Sequence, residues 1–144
     1  MLLPNLLRKK IPNAKIGFFL HTPFPSHELF RLLPWRREIL EGLLGSDLIG
    51  FHTYSYYRHF LSSILRIAGL DDVFGQIKFE NRSIKVDVFP MGIDFDKLFN
   101  SGSSPLVKKE IKNIKKQIGG RKIILSIDRL DYTKGILERL GSFD

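Results

Sequence analysis

Three side chains in this sequence stand where an α/β fold would place chemistry: His21, Arg129 and Lys134. Arg129 and Lys134 are the basic residues of RLDYTKG (129–135), a segment that follows the apolar run KIILSID. A guanidinium, an ammonium and the N-terminus of a following helix, held in one loop, neutralise a phosphate or diphosphate. Gly135 lets the backbone come close to such a ligand. The alternative is that Arg129 pairs with Asp128 or Asp131 and that Lys134 is merely solvated. His21 closes the run IGFFL and precedes TPFPS. The fixed φ of Pro23 and Pro25 holds the loop in one shape, as binding requires. Here too a plainer role is open, that of a hydrogen-bonded structural histidine.

Other chemistries find less support. His52 and His59 lie across a strand-to-helix junction with no acidic partner at metal-ligand spacing, so no metal is expected there. Arg129, between Asp128 and Asp131, argues against a cation at that pair. No G-x-G-x-x-G, Walker loop or G-x-S-x-G occurs. With no cysteine, disulfides and thiolate metal sites are excluded. The net charge of +8 is uneven. Residues 97–144 carry 11 basic and 5 acidic side chains, against 12 and 10 in residues 1–96, which suits an anionic partner at the back of the chain. The lysines at 108, 109, 112, 115 and 116 read as a solvated helix face, because the aromatic platforms of single-strand nucleic-acid binders are absent from it. The opening MLLPNLLRKK has its charges after a short, Pro-interrupted apolar run, which rejects a signal peptide. No apolar run reaches the ~20 residues of a membrane span. A cytoplasmic protein with no membrane or nucleic-acid partner is the expectation.

Positioning these residues requires strands and helices in alternation. The patterns predict a helix over 2–10 and a doubly apolar strand over Lys15–Leu20. A Ser26-capped helix to about Leu33 and a second from Pro34 to Leu44 follow. Next come a strand over Asp47–Thr53, a helix from Ser55 to Ala68 closed by Gly69, and two strands joined at Asn81-Arg82. DKLFNSGSSPLV has linker composition. Beyond it, Val107, Ile111, Ile114 and Ile118 mark a helix stopped by Gly119-Gly120, KIILSID reads as a strand, and Ile136–Leu140 begin a helix. The class is α/β with parallel sheets. In such sheets ligands bind beyond the carboxyl ends of strands, where His21 and the 129–135 loop both fall. The chain starts inside a helix and stops about one turn into another, so we read it as a piece of a longer protein, cut on both sides.

Four blocks in order, IGFFLHTPFPSHELFRLLPWRREIL, GSDLIGFHTYSYYRHFL, VFPMGID and RLDYTKG, resemble the trehalose 6-phosphate synthase family of retaining glycosyltransferases, family 20. The resemblance implies two Rossmann-like domains in the glycosyltransferase B architecture. Residues 1–95 would be the later part of the acceptor-side domain, 96–106 the linker, and 107–144 the start of the donor-side domain. It implies transfer of glucose from UDP-glucose to glucose 6-phosphate, forming α,α-trehalose 6-phosphate, without metal or other cofactor. Arg129 and Lys134 would then meet the donor diphosphate and His21 the donor glucose. A homo-oligomer and a fused trehalose-phosphatase domain are compatible with the family. So are a transferase with another acceptor and a non-catalytic regulatory module of the same fold. The family's acceptor-binding and uridine-binding residues lie outside these blocks, so the 144-residue chain alone is expected to be inactive.

Overall fold

The computed structural model describes residues 1–142, which leaves Phe143 and Asp144 of the closing GSFD outside the described residues. The chain divides into two compact units, Met1–Ile93 and Asp94–Asp144. In the first, α1 (Leu3–Lys10) carries Pro4 in its first turn, where a missing N–H costs nothing, and three basic residues in its last, where they oppose the helix dipole. Strand β1 (Gly17–Leu20) leads to α2 (His27–Phe30), α3 (Arg36–Leu43) and strand β2 (Leu48–Phe51). Helix α4 (Tyr54–Ser63) is capped by Thr53, whose hydroxyl accepts the Tyr56 N–H at 3.4 Å. It widens into a π turn over Ile64–Ala68 and ends at Gly69 in the left-handed region, φ 71°. Strands β3 (Asp72–Val73), β4 (Gln76–Phe79) and β5 (Arg82–Val88) complete the unit.

The five strands form one sheet in the order β1-β2-β5-β4-β3. β1, β2 and β5 run parallel, while β4 pairs antiparallel with β5 and β3 with β4. The α/β class is as expected. Its core lies where Ile49 and Phe51 of β2, Ile84 and Val86 of β5 and Leu20 of β1 meet Leu40, Leu43, Phe60 and Ile64, all buried. Full burial of such side chains stabilises by about 1.5–3 kcal/mol each. Alternation on β5, with Ile84 and Val86 in and Ser83 and Lys85 out, sets its register. On the opposite face Gly50 is buried beneath two rings, and a Cβ there would stand 2.9 Å from both Phe19 and Phe89.

Several boundaries differ from expectation, each for a local reason. The helix after Ser26 stops at Phe30 instead of Leu33, and the Ser26 hydroxyl accepts no cap bond. Pro34 disfavours helical geometry at Leu33, so a turn intervenes and α3 begins at Arg36. The β4–β5 turn is Glu80-Asn81, one residue early, because Arg82 already pairs with Phe79. The short β3 was not expected. It closes a tight hairpin at Phe74-Gly75, both at positive φ, as primed turns demand.

Asp47 ties the sheet's other end together. Its carboxylate pairs with Arg8 at 2.8 Å, lies 3.7 Å from Arg82, and accepts the Ile16 N–H at 2.8 Å. Arg8 also donates to the carbonyls of Gly45, Pro12 and Ala14, and Arg82 to those of Leu44 and Ser46. Two arginines thereby satisfy the carbonyls leaving α3. Burial opposes the Asp47 charge, yet the Ile16 N–H and Arg8 outweigh it and hold the carboxyl below its ordinary value. A depressed carboxyl contributes stability that is present above the unfolded-state value of about 3.9 and is lost as pH falls through the folded one. Denaturation midpoints of wild type and Asp47→Asn should therefore differ at neutral pH and converge in acid below that value. A gap that stays constant across the range would refute this account of Asp47.

In the second unit, α5 (Phe95–Ser101) occupies much of the stretch expected as linker, capped by Asp94 accepting the Lys97 N–H at 3.0 Å. Helix α6 (Pro105–Ile118) starts on Pro105 and stops at Gly119, φ 63°, as its pattern predicts. The expectation of a strand at KIILSID is overturned: Lys122–Asp128 are exposed and pair with no strand. Strand formation needs a neighbour for the backbone N–H and C=O groups, and no other segment described in this unit offers one. A single turn of 3₁₀ helix (Tyr132–Lys134) and α7 (Ile136–Gly141) close the unit. Among the described residues no helix is long and apolar enough to cross a membrane.

Candidate functional site

His21 is the first residue after β1 and is exposed. The loop behind it is fixed from below. Phe24 is 1% exposed and packs against Phe30, Phe60 and Phe51 at ring separations of 4.8, 5.5 and 6.0 Å. The His59 Nδ1–H donates to the Phe24 carbonyl at 3.1 Å. Two prolines and one buried ring thus present the imidazole from a rigid base, as Pro23 and Pro25 predict.

His52 is the residue that sequence reasoning missed. Leu20 and Phe51 are partners in the β1–β2 ladder, so the residues that follow them emerge side by side. The His21 and His52 rings lie 5.2 Å apart at 37°. Phe19 approaches both, at 6.3 and 5.9 Å. The strand expected over Asp47–Thr53 ends at Phe51, and the register of the two parallel strands was the available signal.

In the second unit, the carboxylates flanking the 129–135 cations have partners of their own. Asp128 pairs with Arg139 at 2.8 Å, which holds its carboxyl below the ordinary range. Asp131 accepts the Thr133 N–H at 2.9 Å and the Thr133 hydroxyl at 2.8 Å, with the same effect. Arg139 also donates to the Lys134 carbonyl at 2.9 Å. Both acids are therefore occupied by groups other than Arg129. Arg129 and Lys134 are exposed, and among the described residues neither has an ion-pair partner. Gly135, φ 60°, turns the chain into α7. Arg139 is a second residue that the sequence did not single out. Its pairing occupies Asp128, the acid next to Arg129.

The first unit offers an imidazole pair at parallel strand ends, and the second a loop with two cations that have no ion-pair partner among the described residues. Among the described residues no group of three or more His, Asp or Glu is placed to hold a metal ion.

Comparison with known proteins is consistent across sequence and structure. The chain is 52% identical over its full length to the UDP-forming alpha,alpha-trehalose-phosphate synthase A of Dictyostelium discoideum, of which it spans 20%. It is 49% identical to the bifunctional trehalose-6-phosphate synthase/phosphatase of Thermoproteus tenax, again spanning 20% of it. A Burkholderia xenovorans UDP-forming alpha,alpha-trehalose-phosphate synthase, solved in complex with glucose-6-phosphate, superposes on 99% of this chain with a TM-score of 0.78 at 33% identity. That match occupies 32% of the solved chain. The present chain thus spans a fifth to a third of the length of these relatives, and its α/β fold is part of their glycosyltransferase B architecture. The model of glycosyltransferase family 20 matches residues 1–144 throughout, and the chain belongs to that family.

Proposed function

We propose that this chain serves, within a longer protein, a retaining transfer of glucose from UDP-glucose to glucose 6-phosphate, giving α,α-trehalose 6-phosphate and UDP. Residues 1–95 belong to the acceptor-side domain, 96–106 to the linker and 107–144 to the donor-side domain. The observation that carries the reading is the loop at 129–135, where Arg139 and Thr133 occupy both carboxylates and, among the described residues, Arg129 and Lys134 have no ion-pair partner.

Breaking the bond between glucose and diphosphate builds positive charge on the sugar ring and negative charge on the departing phosphate oxygens. Cations fixed beforehand against the leaving group stabilise the transition state more than the ground state, so they raise kcat and not only affinity. Arg129 supplies a planar fork for two phosphate oxygens and Lys134 a compact charge. His21, held by the Phe24 anchor, meets the donor glucose near its hydroxymethyl group and steadies the developing charge through its backbone carbonyl. The acceptor hydroxyl attacks the face the diphosphate leaves, which keeps the anomeric configuration, and its proton passes to the departing phosphate oxygen. No metal or other cofactor enters these steps.

The protein is proposed to act in the cytoplasm on small molecules, apart from membranes and nucleic acid. Self-association and a fused phosphatase domain, as in the Thermoproteus tenax relative, are compatible with the reading. A panel of acceptors tests it, with released UDP and product measured for the full-length protein. Glucose 6-phosphate should support turnover far above other sugar phosphates. Preference for another acceptor would assign a related transferase. Binding of UDP-glucose without turnover on any acceptor would assign a non-catalytic module.

A further inference from the structure

We propose that His52 is a positioning residue that acts through His21, an inference resting on the reading above of His21 as a donor-sugar residue. Three parallel strands end side by side here, and His52 follows the middle one. On one side its ring lies 5.2 Å from that of His21. On the other, its Nδ1 accepts the backbone N–H of Met91 at 3.4 Å, in the segment after β5. Just before that segment, the Phe89 N–H donates to the Phe51 carbonyl at 2.8 Å, continuing the β2–β5 ladder to the edge of the site.

This pattern fixes the chemistry of the ring. A neutral histidine that accepts at Nδ1 carries its proton on Nε2, so His52 presents one acceptor, engaged inward, and one donor. Phe19, which approaches both imidazoles, limits the tilt of each. His52 therefore locks together the His21 side chain and the backbone at Met91. Neither feature is needed for the core, which lies below with Phe51 and Phe60. Loss of the bond to Met91 would leave the His52 ring, and His21 beside it, free to turn without opening a cavity among buried side chains.

The test uses the full-length protein and four variants. His52→Phe keeps an aromatic ring beside His21 but removes the acceptor. His52→Asn restores an acceptor at the Nδ1 position without a ring. His21→Ala and the double variant His21→Ala/His52→Phe complete a cycle, because coupling between two residues shows as non-additivity. If His52 acts through His21, His52→Phe lowers kcat/KM for UDP-glucose by about tenfold, and His52→Asn recovers part of that loss. The double variant is then no worse than His21→Ala alone, while UDP affinity and the melting temperature stay at wild-type values. Impaired His21→Ala with wild-type kinetics in the His52 variants overturns this inference and leaves the proposed function standing. Additive losses, or a fall in melting temperature that parallels activity, overturn it as well. Wild-type kinetics in His21→Ala itself defeat the sugar role of His21, and this inference with it.

Discussion

Replacing Arg129 or Lys134 by Ala in the full-length protein lowers kcat by about 10²- to 10³-fold, the loss typical of one removed transition-state charge contact. At 1.36 kcal/mol per factor of ten, this corresponds to about 2.7–4 kcal/mol of barrier. The magnitude follows from what the loop has already arranged. Asp128 and Asp131 are occupied by Arg139 and Thr133, so among the described residues the two cations have no ion-pair partner that would compete with a phosphate. Arg129→Lys should fall between wild type and Ala, because it retains charge but loses the planar fork. Arg139→Ala acts indirectly by releasing Asp128 beside Arg129, and a smaller loss of kcat is expected. Steady-state kinetics with UDP release as the readout check all four variants. Wild-type kcat in both alanine variants would show that the leaving group is stabilised elsewhere.

Phe24→Ala is expected to destabilise the first unit by about 3–5 kcal/mol, the usual cost of emptying a buried aromatic site. Phe24 fills the centre of a four-ring cluster with Phe30, Phe51 and Phe60. It is also the residue between the two prolines that follow His21. Its loss therefore removes core volume and slackens the loop presenting the imidazole. Chemical denaturation of the full-length protein reads the first effect, and kcat measured under conditions where the variant is still folded reads the second. Unchanged stability would mean that the aromatic cluster repacks without Phe24, and the anchoring role given to it would fail.

Much of this was legible in the sequence where local pattern and tertiary environment agree. The apolar runs at Gly17–Leu20 and Leu48–Phe51 became adjacent parallel strands, and the stripe at 107, 111, 114 and 118 became α6. Gly69 and Gly119 stop their helices in the left-handed region, as only glycine does without strain. Legibility failed where structure depends on partners remote in the chain. KIILSID has strand composition yet pairs with nothing described, since pattern prepares a strand and a neighbour makes it one. His52 carried no local signal, and only the Leu20–Phe51 register brings it to His21. Arg139 lies eleven residues from Asp128, and the turn of Gly135 into α7 brings the two together. Composition suggested a linker after Asp94, yet Asp94 caps a helix there, because Asp, Ser and Asn favour helix starts as well as loops.

The central claim is that the two cations of the 129–135 loop and a strand-end imidazole serve glucosyl transfer with the anomeric configuration kept. Its most direct test follows UDP-glucose and glucose 6-phosphate by ³¹P and ¹H NMR in the presence of the full-length protein. UDP and a non-reducing disaccharide phosphate should accumulate in equal amounts, with both anomeric protons in the α configuration. A β-linked product, free glucose without disaccharide, or no consumption of UDP-glucose would contradict it.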